Sequence, residues 1–396
     1  MVSSSHSYEK LFGMKSKRRH DIDWIRVLAF DVLIIYHIGM YFNTWDSQIK
    51  NNITIDWLAY PMQFSSQWRL PLLFVVSGMG TRFSLSYRTG GQYIKERFIR
   101  LFIPLLVGIL VIVPPQVYVE RLADGEFSGS FWAFYPHFFE PIYPQGNLSW
   151  HHLWFLPYLL VMSIVATPLF LNLRRDNNAF SQWLRKRLTQ SPFYLYLFTI
   201  PMIVVEFTME PVFPITRAFI GDWYALVYYF LLFVSGFVLI TIGQSFWKAI
   251  DIIKGIALIT GLVSFQIFWW LWTTFHSHVL IPVFKVIMMW SIILAVFGYG
   301  AKYLNKASRV LNYRNEAVYP FYIIHYTIIV LLGFWLMNNP MPIFLKFVIM
   351  FVGTFGGSLL FFEIIKRVRL LRPLFGLKRK QSRLELGVEQ DTKADR

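Results

Sequence analysis

The chain has 396 residues, of which 56% are hydrophobic and only 15% charged, too few polar groups to cover a soluble protein of this size. The net charge of +16 invites a nucleic-acid reading, but Lys and Arg fall in short clusters between apolar runs, as in the cytosolic loops of membrane proteins. The lack of cysteine excludes disulfides, thiolate metal sites and a Cys nucleophile.

Apolar runs long enough to cross a bilayer predict an all-α, polytopic membrane protein with about ten transmembrane helices, at roughly 24–43, 57–84, 98–119, 151–173, 192–208, 222–243, 254–275, 279–299, 316–338 and 341–364. The first twenty residues are polar and basic, with neither an apolar core nor a small-residue cleavage motif, so the first span is expected to be retained. With both termini cytosolic, the inside segments hold 31 of the 38 Lys and Arg residues, whereas the outside segments hold only Lys50, Arg121 and Arg217. That asymmetry sets the expected orientation in the inner membrane. The largest outer loop, 120–150, is rich in aromatics and reads equally as a lid and as a headgroup-level belt. Beyond residue 371 the chain is expected to form a flexible, basic cytosolic tail reaching 396.

In the first span, Arg26 and His37 are eleven residues apart. That is close to three full turns, so they share one helix face about 16 Å apart along the axis. Ionisable groups at that depth cost about 2.5–3.5 kcal/mol and normally face a cavity. The spacing suits a ligand with an anionic end and a reactive end on a long thin arm, the shape of a coenzyme A thioester. A core His beside a snorkelling Arg is the plainer alternative. Asp23, three residues before Arg26, is positioned to hold it.

The second span carries GlnPheSerSerGlnTrpArg at 63–69, then Pro71. Polar residues followed by a mid-membrane Arg69 and Pro71 suggest a broken helix lining a cavity, whereas Ser77 and Gly78 suit close helix packing. Arg97 and Arg100 stand at i and i+3 at the start of the third span, able to fork onto phosphate oxygens or simply to serve as positive-inside charge. His151, His152 and Trp154 open the fourth span at its outer edge, where an acceptor or an interfacial anchor belongs. His325 lies inside the ninth span, either orienting a partner or satisfied in the core. His276 and His278 make a weak metal pair, and no metal site is expected. Lys285 and Lys346 read as snorkelling side chains near outer ends.

These elements, taken in order, resemble the acyltransferase-3 family of integral membrane acyltransferases over about residues 19–370. The carriers of the resemblance are Arg26 and His37, PheValValSerGly at 74–78, Arg97 with Arg100, LeuTrpPheLeu at 153–156 and the late His325. The stretches 68–74 and 114–121 look most like a subgroup similar to a periplasmic-glucan succinyltransferase. The resemblance divides the chain into a cytosolic segment 1–18, a transmembrane domain 19–370 and the tail 371–396. It implies an acyl-CoA donor, no permanently bound cofactor, His37 as the catalytic residue, and Arg97 and Arg100 as donor-binding residues, with Arg26 beside them. Asp23, Arg69, His152, Trp154 and His325 are then the supporting or acceptor-side residues. The implied reaction is transfer of an acyl group of the acetyl or succinyl class to a hydroxyl of an extracytoplasmic glycan or glycolipid. His37 would act as a general base or through an acyl-imidazole. The competing reading is a secondary transporter or a flippase-like subunit of a glycan pathway, which predicts repeat symmetry that the sequence does not display.

Overall fold

A computed structural model describes residues 19–140, 142–175, 178–276 and 278–378. The expected N-terminal segment 1–18 and residues 379–396 of the expected tail lie outside the described residues. Every regular element among the described residues is helical. In chain order the principal helices are α1 (His20–Phe42), α2 (Ala59–Leu85), α3 (Gly90–Val107), α4 (Pro114–Ala123), α5 (Phe155–Leu173), α6 (Ala179–Gln190), α7 (Thr199–Thr208), α8 (Trp223–Thr241), α9 (Gln244–Phe275), α10 (Ile281–Tyr303), α11 (Arg309–Met337) and α12 (Ile343–Arg367).

Eight helical stretches are long and apolar enough to cross a membrane: α1, the continuous run Gly90–Ala123 formed by α3 and α4, the run His151–Leu173 ending in α5, and α8 to α12. The chain is therefore an integral, multi-pass membrane protein. Two of the ten expected spans fall short of that description for different reasons. Helix α2 runs unbroken through Pro71 for 27 residues, not as the broken helix expected there, and its polar 63–69 stretch lowers its hydropathy. The fifth segment, Pro192–Thr208, is shorter and opens as a 3-10 turn with Pro192 at its start.

Helix α1 sits centrally, against α2, α10, α11 and α12. The tightest seam joins α2 to α8. A Cβ added to Gly78 would lie 1.9 Å from the Phe233 carbonyl oxygen, and one added to Gly236 would lie 1.9 Å from that of Val75. The two backbones touch reciprocally because neither glycine carries a side chain, which is the small-residue logic of membrane helix packing. Next along the seam, Phe74 stacks on Tyr229 at 4.5 Å.

Between α3 and α4 the helix widens into a π turn, Gly108–Ile112, just before Pro114 and Pro115. Proline cannot donate to the carbonyl four residues back. Leu110 O, freed by Pro114, accepts from Tyr135 (3.0 Å), and Ile112 O accepts from Thr327 (2.9 Å) because the Gln116 N–H turns to Val113 O (2.8 Å). The bulge thus ties α3 to α11 and to the outer loop.

Two ion pairs join helices within the bundle. Asp31 of α1 meets Arg314 of α11, and Glu206 of α7 meets Lys285 of α10 at 2.9 Å and Tyr224 at 2.6 Å. Lys346 is buried and donates to Asn51 at 2.7 Å, so it does not snorkel. Part of the expected tail is also ordered against the bundle. Leu371–Leu374 forms a helical turn, Arg372 bonds Glu316 at 2.9 Å, and Phe375 packs edge-on against Phe361.

Candidate active site

A cavity of about 780 Å³ opens between α1, α2, α11 and the loops at the end of the bundle away from His20. His37 lies in its wall, with its Nδ1 2.9 Å from His325 Nε2. The proton positions follow from the next bonds in the chain. His325 Nδ1 faces two carbonyl oxygens, Tyr322 O at 2.8 Å and Phe321 O at 3.1 Å. Only an N–H satisfies two acceptors, so His325 carries its proton on Nδ1 and offers a lone pair at Nε2. His37 must then donate through Nδ1–H. Its Nε2 is left bare, with no hydrogen-bond partner among the described residues. A neutral imidazole with a lone pair in a cavity is equipped to take a proton or to attack a carbonyl.

Aromatic rings fix this pair. His37 packs edge-on against Tyr326 at 5.0 Å, and His152 packs edge-on against His325 at 5.3 Å. His152 is 8% exposed and its Nε2 donates to Ile323 O at 2.9 Å. That bond fixes the other tautomer, leaving His152 Nδ1 bare and unpartnered among the described residues. The 3-10 turn His151–Trp154 that holds it is anchored by the Tyr322 hydroxyl, which donates to His152 O at 2.7 Å.

The outer part of the cavity is polar. Gln48 Nε2 donates to Glu120 Oε2 and to His151 Nδ1, both at 2.9 Å, and the Tyr143 hydroxyl donates to Glu120 Oε1 at 2.9 Å. Burial and the neighbouring Glu120 carboxylate push the Tyr143 phenol up, so it remains a donor. The loop 209–222 overhangs the opening through Thr216, Arg217, Ala218 and Ile220. It is pinned by Asp222, which accepts from Tyr158 and from the backbone N–H of Arg217 (2.9 Å), and by Trp150, which donates to Arg217 O (2.9 Å). His151 and Arg217 both hold left-handed backbone angles (φ 39° and 60°). Such conformations cost about 1–3 kcal/mol each in non-glycine residues and cluster at functional sites.

The structure brings His37, Arg69, His152 and Trp154 into one cavity, with His325 directly behind His37. Asp23, Arg26, Arg97 and Arg100 stand outside it, toward the end of the bundle where α1 begins. Asp23 bonds Arg26 at 2.6 Å. Arg97 donates to Thr81 at 3.1 Å, Arg100 approaches Glu96 at 3.5 Å, and the Tyr319 hydroxyl donates to Arg100 O at 2.9 Å. From Tyr319 a column of rings runs through Tyr322 to His325 (6.4 and 6.2 Å), linking the two regions along one face of α11. Sequence reasoning did not single out Tyr36, Gln48, Tyr143, Tyr326 or the 209–222 loop. Glu120 was read as a loop residue, but it sits on α4. Its one sequence signal was an acid directly following an apolar helical run.

The acyltransferase-3 family profile, described as "Acyltransferase domain", matches residues 19–363, a span that includes α1 to α11 and the whole cavity. The chain belongs to the acyltransferase-3 family. As a member of it, the protein is a membrane acyltransferase that transfers groups other than aminoacyl groups. It is similar to proteins named "Glucans biosynthesis protein C" from Escherichia coli (strain K12) and from Shigella dysenteriae serotype 1 (strain Sd197). Each is 23% identical over 384 residues, covering 92% of this chain and 95% of the relative. No solved structure matches the chain. The PheValValSerGly stretch of this acyltransferase-3 chain contains Gly78, the point where α2 and α8 touch.

Proposed function

We propose that this acyltransferase carries an acetyl- or succinyl-class group from cytosolic acyl-CoA to a hydroxyl of a glycan or glycolipid outside the inner membrane. The observation that carries the chemistry is the bare His37 Nε2 in the cavity, held there by the bond from Nδ1 to His325. The acceptor hydroxyl donates to Nε2 and attacks the thioester carbonyl carbon, and its proton passes to Nε2. Collapse of the adduct breaks the carbon–sulfur bond, and the leaving thiolate takes that proton. General-base assistance of this kind contributes about 10²–10⁴ in rate. His152 Nδ1 accepts a neighbouring hydroxyl of the same acceptor.

The direction of transfer rests on charge. The end of the bundle where α1 begins carries the Lys and Arg excess expected of a cytosolic face. Arg26, Arg97 and Arg100 stand there to meet the donor's phosphates, with Asp23 orienting Arg26. The glycan acceptor is supported by the name of the relatives and by the size and polarity of the outer cavity, which suit a sugar. The test is acylation of envelope glycans, read by mass spectrometry, in cells making wild type or His37→Ala at equal membrane levels. Loss of the acyl mass shift in the variant is expected, and an undiminished shift would sink the reading. An acyl adduct on His37 in enzyme given donor alone would replace direct transfer by a two-step route.

A further inference from the structure

Arg69 presents a physical problem that the proposed reaction does not yet solve. It lies mid-way along α2 and is 5% exposed, yet its Nε and Nη1 have no hydrogen-bond partner among the described residues. Its guanidinium stacks on the Tyr36 ring, Cζ 3.3 Å from the centroid. A buried cation is stabilised only when paired and hydrogen-bonded. Two acids share the cavity wall, but Glu120 is engaged by Gln48 and Tyr143, Asp46 lies exposed, and neither forms an ion pair with Arg69 among the described residues. Arg217, also in the wall, adds a second positive charge.

The Arg69 guanidinium lies within reach of the reaction centre. Tyr36 and His37 are neighbours with ring centroids 5.9 Å apart. Together with the stacking distance, this caps the separation of Arg69 Cζ from the His37 ring centre at about 9 Å. A bent path from base through hydroxyl and carbonyl to guanidinium, with hydrogen bonds of about 2.8–2.9 Å at its two ends and an attack distance of about 3 Å between them, folds within that reach.

We propose that Arg69 is the oxyanion-stabilising residue of the transfer, its guanidinium N–H groups donating to the carbonyl oxygen of the acyl group. The proposal rests on the reading of His37 as the base. As the acceptor oxygen bonds to the carbonyl carbon, the π pair of the carbonyl moves onto its oxygen, opposite the guanidinium. The pair returns when the carbon–sulfur bond breaks. Charge that Arg69 lacks in the resting protein is supplied by the tetrahedral adduct, so the interaction is strongest where the barrier is highest. The seam at Gly78 and Gly236 and the stack on Tyr36 hold the guanidinium before any ligand arrives.

The experiment uses the full chain in lipid nanodiscs, with acetyl-CoA and succinyl-CoA as donor probes and a glucan oligosaccharide as acceptor probe. Arg69→Gln is expected to lower kcat by about 10²–10³ with KM for either donor little changed, and Arg69→Lys to recover at least tenfold of that loss. The thermal midpoint of Arg69→Gln is expected to equal or exceed that of wild type, because an uncompensated buried charge has gone. An undiminished kcat in Arg69→Gln overturns the proposal alone. So does a loss confined to KM for succinyl-CoA, which would make Arg69 a reader of a charged acyl end. A fall in midpoint that tracks the activity loss, with no rescue by Lys, overturns it in favour of a structural role. Absence of transfer by wild type from both donors removes the His37 reading, and this proposal with it.

Discussion

His325 Nε2 stands 2.9 Å from His37 Nδ1, and the two rings lie within 9° of parallel. Among the described residues, neither histidine has a carboxylate behind it. The last acceptors in the relay are the carbonyls of Phe321 and Tyr322 in the same helix. His325 therefore acts as a positioning residue, which selects the His37 tautomer and supports the charge that develops on it. Replacing His325 with Leu should lower kcat by about 10² while leaving donor KM near its wild-type value. His325→Gln, whose carbonyl oxygen again accepts from Nδ1–H, should recover part of the loss. Steady-state kinetics with equal amounts of folded protein decide this. A His325→Leu enzyme with wild-type kcat would remove the relay from the mechanism.

The α2–α8 seam makes a prediction about stability. Any side chain at Gly78 enters the backbone of Phe233, so Gly78→Val should cost at least the upper end of the about 1–3 kcal/mol typical of overpacking. Gly80, two residues on, has open space where its Cβ would be. Gly80→Ala should be neutral, or stabilising by up to about 1 kcal/mol through helix propensity. Thermal unfolding of the two variants in one detergent gives the contrast, and similar midpoints would contradict the packing account.

Asp222 supplies a third test. It is fully buried, and it accepts from Tyr158 and from the backbone of the loop that roofs the cavity. The Tyr158 oxygen in turn accepts from the Phe219 N–H at 3.0 Å. Tyr158→Phe strips a donor from a buried carboxylate and an acceptor from the loop, at an expected cost of about 1–3 kcal/mol. Faster amide hydrogen exchange over residues 216–222 and a higher acceptor KM should accompany it. Unchanged exchange there would show that Asp222 and Trp150 hold the loop without help from Tyr158.

Local pattern was legible in the sequence, and distant pairing was not. The period of the apolar runs and the depth of His37 and Arg69 follow from composition along one segment. The Asp23–Arg26 and Glu363–Arg367 contacts follow from helical spacing. Lys346 was misread because its partner, Asn51, lies 295 residues away in sequence. Nor could spacing reveal that Asp31 belongs to Arg314 or that Glu206 belongs to Lys285. The site divides in the same way. Its histidines carried a signal of their own, being ionisable groups in apolar runs. Its aromatic and amide lining did not, because Tyr and Gln at the ends of spans are ordinary.

The glycine contact between α2 and α8 also bears on how such an enzyme changes specificity. Where two main chains touch, no side chain is available to be enlarged, trimmed or rotated. The distance between these helices is therefore closed to gradual adjustment by substitution. The wall that carries Arg69, Leu70 and Leu73 behaves as a fixed gauge. Accommodating a bulkier acceptor is left to the loops 43–58, 124–150 and 209–222, which do not set the distance between these two helices. Divergence within this architecture should accumulate at the rim of the cavity while its floor stays constant in shape.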